Sequence, residues 1–201
     1  KMTCLLKGNR KAVKMIYLYS GTPGSGKSYH AVVDIYYRLR KRKGFRRVIA
    51  NFPLNIDSPD FQYMDNEEMT IDNLITYARQ NHKFGLEAQI IFNSRSWNSD
   101  GNSRMEWIKF FTQHRKLGFN FILIAQFDRM LDRQIRCLIE YEIAHMKVNN
   151  FFRIVPMTVF LCVTRWYGQR MKIGHELIAY RKRIAKLYDT FRMFSQEQAE
   201  Q

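Results

Sequence analysis

The chain has 201 residues, 46% of them hydrophobic and 25% charged, which is the composition of a globular protein and excludes an intrinsically disordered chain. Lysine and arginine number 33 and aspartate and glutamate 18, so the net charge is +15. A charge of this size and sign favours polyanionic partners such as nucleic acid or an acidic membrane face.

The first half of the chain alternates predicted strands and helices. Ile16–Ser20 predicts a buried strand, and the apolar stripe that follows predicts a helix over residues 28–42. Further strands are predicted over residues 48–52, 90–92 and 119–125, further helices over residues 69–80 and 105–115, and a polar loop over residues 93–103. The segment 119–125 is almost continuously apolar, which is typical of a parallel strand covered on both faces.

The second half changes in pattern. Helices are predicted over residues 128–138 and 182–191. Between them, residues 141–148, 151–167 and 171–180 have the pattern of β segments separated by turns, which suggests antiparallel strands added to the edge of the sheet. The longest apolar run, residues 154–163, is too short for a transmembrane helix, which needs about 20 residues.

A glycine-rich motif lies between the first predicted strand and the first predicted helix. Residues 21–28 match G-x-x-x-x-G-K-[ST] in full. In this motif backbone N–H groups and the helix N-terminus hold a phosphate, the lysine reaches the outer phosphates, and the last hydroxyl ligates Mg²⁺. We therefore predict ATP and Mg²⁺ as cofactors, Lys27 as the catalytic cation and Ser28 as the metal ligand. The predicted nucleotide-binding residues are Gly21, Thr22, Pro23, Gly24, Ser25, Gly26, Lys27, Ser28 and Tyr29.

Together these elements predict an α/β fold of the P-loop NTPase type. We expect a mainly parallel central sheet flanked by helices, with added antiparallel strands near the C-terminus. The predicted domain covers residues 15–194, after an N-terminal extension at residues 1–14 and before a tail at residues 195–201.

A P-loop enzyme also needs an acid at the end of a neighbouring strand to hold the magnesium shell. Glu87 follows Leu86 rather than a second acid, and Asp100 lies in a polar loop where a solvated turn residue is the alternative. Residues 81–86 lack the apolar and β-branched content of a buried strand, so we expect that a central strand and its acids, roughly eight to ten residues, have been lost. Mg²⁺ would then be held poorly, and ATP binding would outlast hydrolysis.

Other polar residues are candidates for the same site. Gln126 ends the 119–125 strand and could sense the γ-phosphate or orient water, or cap the next turn. Three arginines lie on one face of a predicted helix. One of them could reach a neighbouring subunit as an arginine finger, or the three could form surface ion pairs with Asp128 and Asp132. These arginines are Arg129, Arg133 and Arg136. Residues 38–47 carry seven basic side chains, which suit a nucleic-acid backbone or an anionic membrane, or form a solvated face.

Cysteine and histidine positions indicate neither a disulfide framework nor a metal site. Cys4, Cys137 and Cys162 are far apart, odd in number and without C-x-x-C spacing. We therefore expect a reducing compartment. The five histidines are scattered without the spacing of metal ligands, and we assign none of them to a metal.

With these motifs the chain resembles the zonula occludens toxin (Zot) family, the ATPases of filamentous phage assembly and their relatives. The resemblance runs from Met15 to about Phe194. It rests on the P-loop directly after residues 15–20 and on residues 110–118, 122–126, 132–136, 180–184 and 187–190. The sequence of residues 92–98 looks like that of family members from Gram-positive hosts. In the family an apolar strand leads to Asp-Glu-Ala-Gln, of which Glu87-Ala88-Gln89 matches. The resemblance thus implies the catalytic glutamate's role for Glu87. The family's membrane anchor has no counterpart in these residues.

The resemblance implies an ATP-driven motor in phage assembly and DNA export, with Lys27, Glu87 and Gln126 as its catalytic residues. The alternative is a nucleotide-binding scaffold of the same assembly complex that has lost catalysis. Implied partners are phage DNA or a DNA–protein complex, further copies of the chain in a homo-oligomer, and the host inner membrane or membrane-bound assembly proteins. The implied location is cytoplasmic, at the cytoplasmic face of the bacterial host membrane.

Overall fold

The computed structural model describes residues 14–40, 47–81, 88–93, 101–148 and 158–188. The strands in these ranges are β1 (Ile16–Ser20), β2 (Val48–Ala50), β3 (Phe61–Tyr63), β4 (Ala88–Asn93), β5 (Phe119–Ile124), β6 (Tyr141–Val148), β7 (Val159–Trp166) and β8 (Met171–Ala179). The helices are α1 (Lys27–Leu39), α2 (Ile71–Asn81), α3 (Gly101–Leu117), α4 (Arg133–Arg136) and α5 (Lys182–Ala185), with a 3₁₀ turn at Asp128–Met130. The predicted extension up to residue 13 and the predicted tail lie outside the described residues.

The strands form one sheet in the order β3-β2-β4-β5-β1-β6-β7-β8. All neighbouring pairs from β3 to β6 are parallel, and β7 and β8 continue the sheet in antiparallel pairing. This confirms the predicted mainly parallel sheet with antiparallel strands near the C-terminus. The antiparallel part begins one strand later than expected, because β6 pairs parallel with β1.

Helices cover both faces of the central strands β1 and β5, which explains why these two strands are mainly apolar. Along β5, Phe119, Phe121 and Leu123 enter the core under α2, α3 and α4. Ile122 and Ile124 point to the opposite face and enter the core under α1 and α5. The alternation of side chains along a strand thus divides one apolar run between two cores.

The strand predicted over residues 90–92 is present as β4, and it occupies the central position from which we expected a strand to have been lost. β4 pairs parallel with both β2 and β5, and Ile90 and Ile91 are fully buried in opposite cores. The prediction of a deleted strand is therefore wrong with respect to the fold. It failed because the short strand predicted over residues 90–92 itself fills the position between β2 and β5, which the deletion argument had assigned to residues before Glu87.

Several element boundaries differ from the sequence prediction. The helix predicted over residues 128–138 is divided into the 3₁₀ turn and α4, because the Asp132 carboxylate accepts a hydrogen bond from the Gln134 N–H at 2.7 Å and so caps a new helix. α3 begins at Gly101, inside the predicted loop. β3 was not predicted, since it has three residues, mostly exposed, at the sheet edge. None of the helices in the described residues is long and apolar enough to cross a membrane.

Candidate functional site

The loop between β1 and α1 lies at the carboxyl edge of the parallel strands, where open parallel sheets bind their ligands. Its first residue is fastened to the neighbouring strand, because the Gly21 N–H donates to the Gln126 carbonyl at 3.2 Å. Inside the loop the Ser25 N–H donates to the Thr22 carbonyl at 3.1 Å. The loop is therefore held to the sheet at its start and turned back on itself before α1 begins.

Two positions of the loop require glycine for space as well as for backbone conformation. Gly26 has a φ of +94°, and a Cβ atom there would lie 2.4 Å from the Phe160 ring. Gly21 has a φ of +141°, and its Cβ would lie 2.6 Å from the His145 carbonyl oxygen. Gly24 also has a positive φ, +75°, but a Cβ there would meet open space. The C-terminal strands thus form a wall against which the loop packs by backbone alone.

Lys27 is a charged residue that is only 8% exposed. Its ammonium donates to the Gly21 carbonyl at 2.6 Å and to the Thr22 carbonyl at 3.0 Å, so the positive charge lies beside the loop. The Ser25 hydroxyl is buried and has no hydrogen-bond partner among the described residues. Together with the N-terminus of the 13-residue helix α1, these groups form an arrangement suited to a phosphate.

Gln126 and Glu87 differ in where the fold places them. The backbone of Gln126 adjoins the loop through its hydrogen bond with Gly21. Glu87 lies outside the described residues, but the next residue, Ala88, begins β4 at the edge of the sheet opposite to the loop. A strand of this length spans about 17 Å. The roles of both residues stay predictions.

The described residues fit a phosphate better than they fit Mg²⁺. The Ser28 hydroxyl, at the start of α1, is one oxygen that could join a magnesium shell. β4 ends at the amide residue Asn93, level with Ile124 of β5, and β5 leads into Gln126. In the described part of the chain, neither of these strand ends therefore carries the carboxylate that usually supports Mg²⁺.

Tyr29 joins the first turn of α1 to the end of β8. Its hydroxyl donates to the Ala179 carbonyl at 3.2 Å and accepts from the Arg181 N–H at 2.8 Å. Its ring contacts those of Phe160 and Tyr180 at centroid distances of 5.4 and 5.3 Å. Tyr29 therefore has a structural role here, and its contact with nucleotide stays a prediction.

Behind the loop lies a buried cluster that sequence reasoning missed. It consists of His30, His145 and Cys162, which are at most 3% exposed and come from α1, β6 and β7. His30 Nδ1 and His145 Nε2 are 2.8 Å apart, and His145 Nδ1 lies 3.1 Å from the Ser20 carbonyl oxygen. The two histidines are 115 positions apart in sequence, so no local spacing could have revealed the cluster.

Burial and the charges around the cluster shift the pKa values of the two histidines in opposite directions. Burial lowers the pKa of His30, but the charge of Asp34 and hydrogen bonds with Cys162 and Glu176 outweigh burial and raise that pKa to about 10. Burial and the positive charge of His30 lower the pKa of His145 to about 3. The hydrogen bond from His30 lowers the pKa of Glu176. The pKa values of the two histidines are therefore shifted in opposite directions, upward for His30 and downward for His145.

The candidate arginines do not share one continuous helix. Arg129 belongs to the 3₁₀ turn, whereas Arg133 and Arg136 belong to α4. Of their predicted partners, Asp128 accepts a hydrogen bond from the Tyr167 hydroxyl at 3.2 Å and Asp132 caps α4. An arginine finger among them stays a prediction. Within the basic run 38–47, residues 41–46 lie outside the described residues.

The sheet order and the glycine-rich loop between β1 and α1 define a P-loop NTPase fold. A family model described as zonular occludens toxin (Zot) matches residues 15–193, and the chain belongs to that family. No curated protein matches the chain.

Solved structures show the same fold. The N-terminal domain of zonular occludens toxin from Neisseria meningitidis has a TM-score of 0.53 and 18% identity, with 89% of this chain and 100% of that chain covered. B204, the DNA-packaging ATPase from Sulfolobus Turreted Icosahedral Virus, has a TM-score of 0.57 and 15% identity, with 82% and 98% covered. EssC (ATPases 2 and 3) from Geobacillus thermodenitrificans has a TM-score of 0.53 and 12% identity, with 94% and 43% covered.

Alanine at Gly26 should destabilise the protein more than alanine at Gly24. Both changes place a side chain at positive φ, which costs about 1–2 kcal/mol. Only Gly26→Ala also drives a methyl group into the Phe160 ring, which adds about 1–3 kcal/mol. The measurement is the free energy of unfolding in urea. In the double variant with Phe160→Ala, the cost should be less than the sum of the single costs. Equal losses for the two glycines would refute the packing of the loop against β7.

Proposed function

We propose that this chain binds ATP through residues 21–28 and acts as the nucleotide-binding domain of a P-loop ATPase. The observation that carries the proposal is the buried ammonium of Lys27, held beside the loop and the first turn of α1. A triphosphate brings the negative charge that this ammonium and the helix N-terminus can stabilise. ATP rather than another nucleotide is proposed from the family and from the similarity to the ATPase B204.

Lys27→Ala should remove most of the ATP affinity while the protein stays folded. Loss of a buried charged hydrogen-bond partner costs about 2–5 kcal/mol, so the dissociation constant should rise about 30-fold or more. Calorimetric titration with ATP measures it, and Lys109→Ala, an exposed lysine on α3, is the matched control. An unchanged affinity for Lys27→Ala would eliminate this loop as the nucleotide site.

The biological role that we propose is a motor in filamentous phage assembly and DNA export. Membership of the zonular occludens toxin family supports it, and so does the similarity to an ATPase that packages viral DNA. The net charge of +15 suits a nucleic-acid partner. In this proposal the domain works as a homo-oligomer at the cytoplasmic face of the host membrane, beside membrane-bound assembly proteins.

A second candidate is a nucleotide-binding scaffold of the same assembly complex with little or no hydrolysis. The observation that favours it is Asn93 at the carboxyl end of β4, where a magnesium-supporting acid would be expected. With an amide residue at this position, β4 ends without a carboxylate residue. The loop would then bind ATP as a structural ligand, and nucleotide-driven subunit movement would not occur.

Asn93→Asp should distinguish the two candidates. If the missing carboxylate limits catalysis, the parent chain should hydrolyse ATP well below about 1 s⁻¹, the low end of common enzyme rates, and the variant about 10-fold faster or more. The gain should require Mg²⁺. Asn73→Asp, at an exposed position on α2, is the control for the added charge. A parent rate of about 1 s⁻¹ or faster would mean that another acid serves the metal and would rule out the scaffold.

A further inference from the structure

The buried cluster behind the loop is built from three elements of the fold, α1, β6 and β7, and the exposed Glu176 of β8 adjoins it. His145, Cys162 and Glu176 occupy directly opposed positions on β6, β7 and β8, so they form one row across three strands. His30 descends onto this row from α1. One donor atom each from His30, His145 and Cys162 lies within 4.8 Å of the others. All three residues are buried, so their donor atoms converge in the interior of the protein.

The outer nitrogen of each histidine already has an acceptor. His145 Nδ1 lies 3.1 Å from the Ser20 carbonyl oxygen, a group that can only accept, so this nitrogen carries hydrogen. His30 Nε2 lies 3.2 Å from Glu176 Oε1 and 3.7 Å from Asp34 Oδ1, which likewise calls for hydrogen on this nitrogen. In neutral rings the remaining nitrogens, His30 Nδ1 and His145 Nε2, therefore direct lone pairs at each other across 2.8 Å. Such a pair requires a cation between its atoms, either a proton or a metal ion.

We propose that His30, His145 and Cys162 form a binding site for a divalent cation of the zinc class. A shared proton needs only the two nitrogens, whereas the buried thiol of Cys162, from a third element, supplies the further donor that a metal requires. Imidazole and thiolate are the ligands that zinc prefers in proteins. A carboxylate and a backbone carbonyl on the outer histidine nitrogens are the usual supports of such ligands.

The two histidine nitrogens require only a small adjustment to accept the ion. Zinc–nitrogen bonds of about 2.0–2.1 Å at a tetrahedral angle separate two nitrogens by about 3.3 Å. The histidine nitrogens would therefore move apart by about half an ångström. The ion would displace the shared proton, and deprotonation of the Cys162 thiol would supply negative charge, in addition to that of Glu176 and Asp34.

The ion would fasten both ends of the phosphate-binding loop. His145 bonds the carbonyl of Ser20, the residue directly before Gly21. His30 lies three positions after Lys27, in the first turn of α1. A cation shared by these histidines and Cys162 would tie the end of β1, the start of α1 and β7 into one unit. Its role is therefore structural positioning, and the inference does not depend on ATP binding or hydrolysis.

Cobalt titration of the full chain tests the site. The protein is purified under reducing conditions, stripped with a chelator and titrated with Co²⁺, which reports thiolate coordination by a charge-transfer absorption band. We expect one equivalent to bind with this band and Zn²⁺ to displace it. Cys162→Ser should lose the band and bind Zn²⁺ at least about 10-fold more weakly, a loss that even an outer-shell partner can cause. Cys137→Ser, at an exposed free cysteine, should behave as the parent does.

A measurement on the unchanged chain guards against a variant that fails to fold. In crystals of the parent grown with Zn²⁺, anomalous scattering at the zinc edge should show one peak between His30 Nδ1, His145 Nε2 and Cys162 Sγ. The absence of a peak there would overturn the proposal and leave a proton-bridged histidine pair. Co²⁺ binding that survives in folded Cys162→Ser but is lost in Cys137→Ser would overturn it as well.

Discussion

The packing of the glycine-rich loop against the C-terminal strands is the constraint on which the site depends. At the start of the loop, Gly21 faces the His145 carbonyl, and at its end Gly26 faces the Phe160 ring, with no room for a side chain at either point. β6 and β7 therefore define where the backbone amides of the loop lie. β8 adds to this wall through the hydrogen bonds of Tyr29 with Ala179 and Arg181. The antiparallel extension of the sheet thus helps to position the loop through which we propose that phosphate binds.

This constraint links the fold to the chemistry of the site. A loop fixed at both ends holds the Lys27 ammonium in a buried position, where its interaction with a phosphate is stronger than it would be in water. The same arrangement does not supply an acid for Mg²⁺ at the ends of β4 and β5 in the described part of the chain. The proposed nucleotide binding and the proposed hydrolysis therefore depend on different parts of the molecule, and for this reason we consider both a motor and a scaffold.

The sequence was sufficient where function depends on consecutive residues. The P-loop pattern, the strand before it and the helix after it were all predictable, because the consecutive residues 16–39 carry the whole pattern, although β6 and β7 then position the loop. The 119–125 run was equally clear, since both faces of β5 are buried. The strand at residues 90–92 was predicted, but its central position was not, because its apolar run is short and its burial is set by β2 and β5 on either side. The histidine and cysteine cluster could not be predicted from the sequence, because no local pattern encodes it. It forms only when β6, β7 and β8 pair with one another and α1 packs on them.

Amide hydrogen exchange with and without a non-hydrolysable ATP analogue tests the central claim most directly, because it locates the bound nucleotide without altering the chain. Backbone N–H groups that hold a phosphate exchange more slowly when the phosphate is bound. Protection is expected to be strongest over residues 21–28 and the first turn of α1. It should weaken along α1 toward Arg38 and be absent from β3 at the far edge of the sheet. Unchanged exchange over residues 21–28, with protection of another segment, would contradict the account.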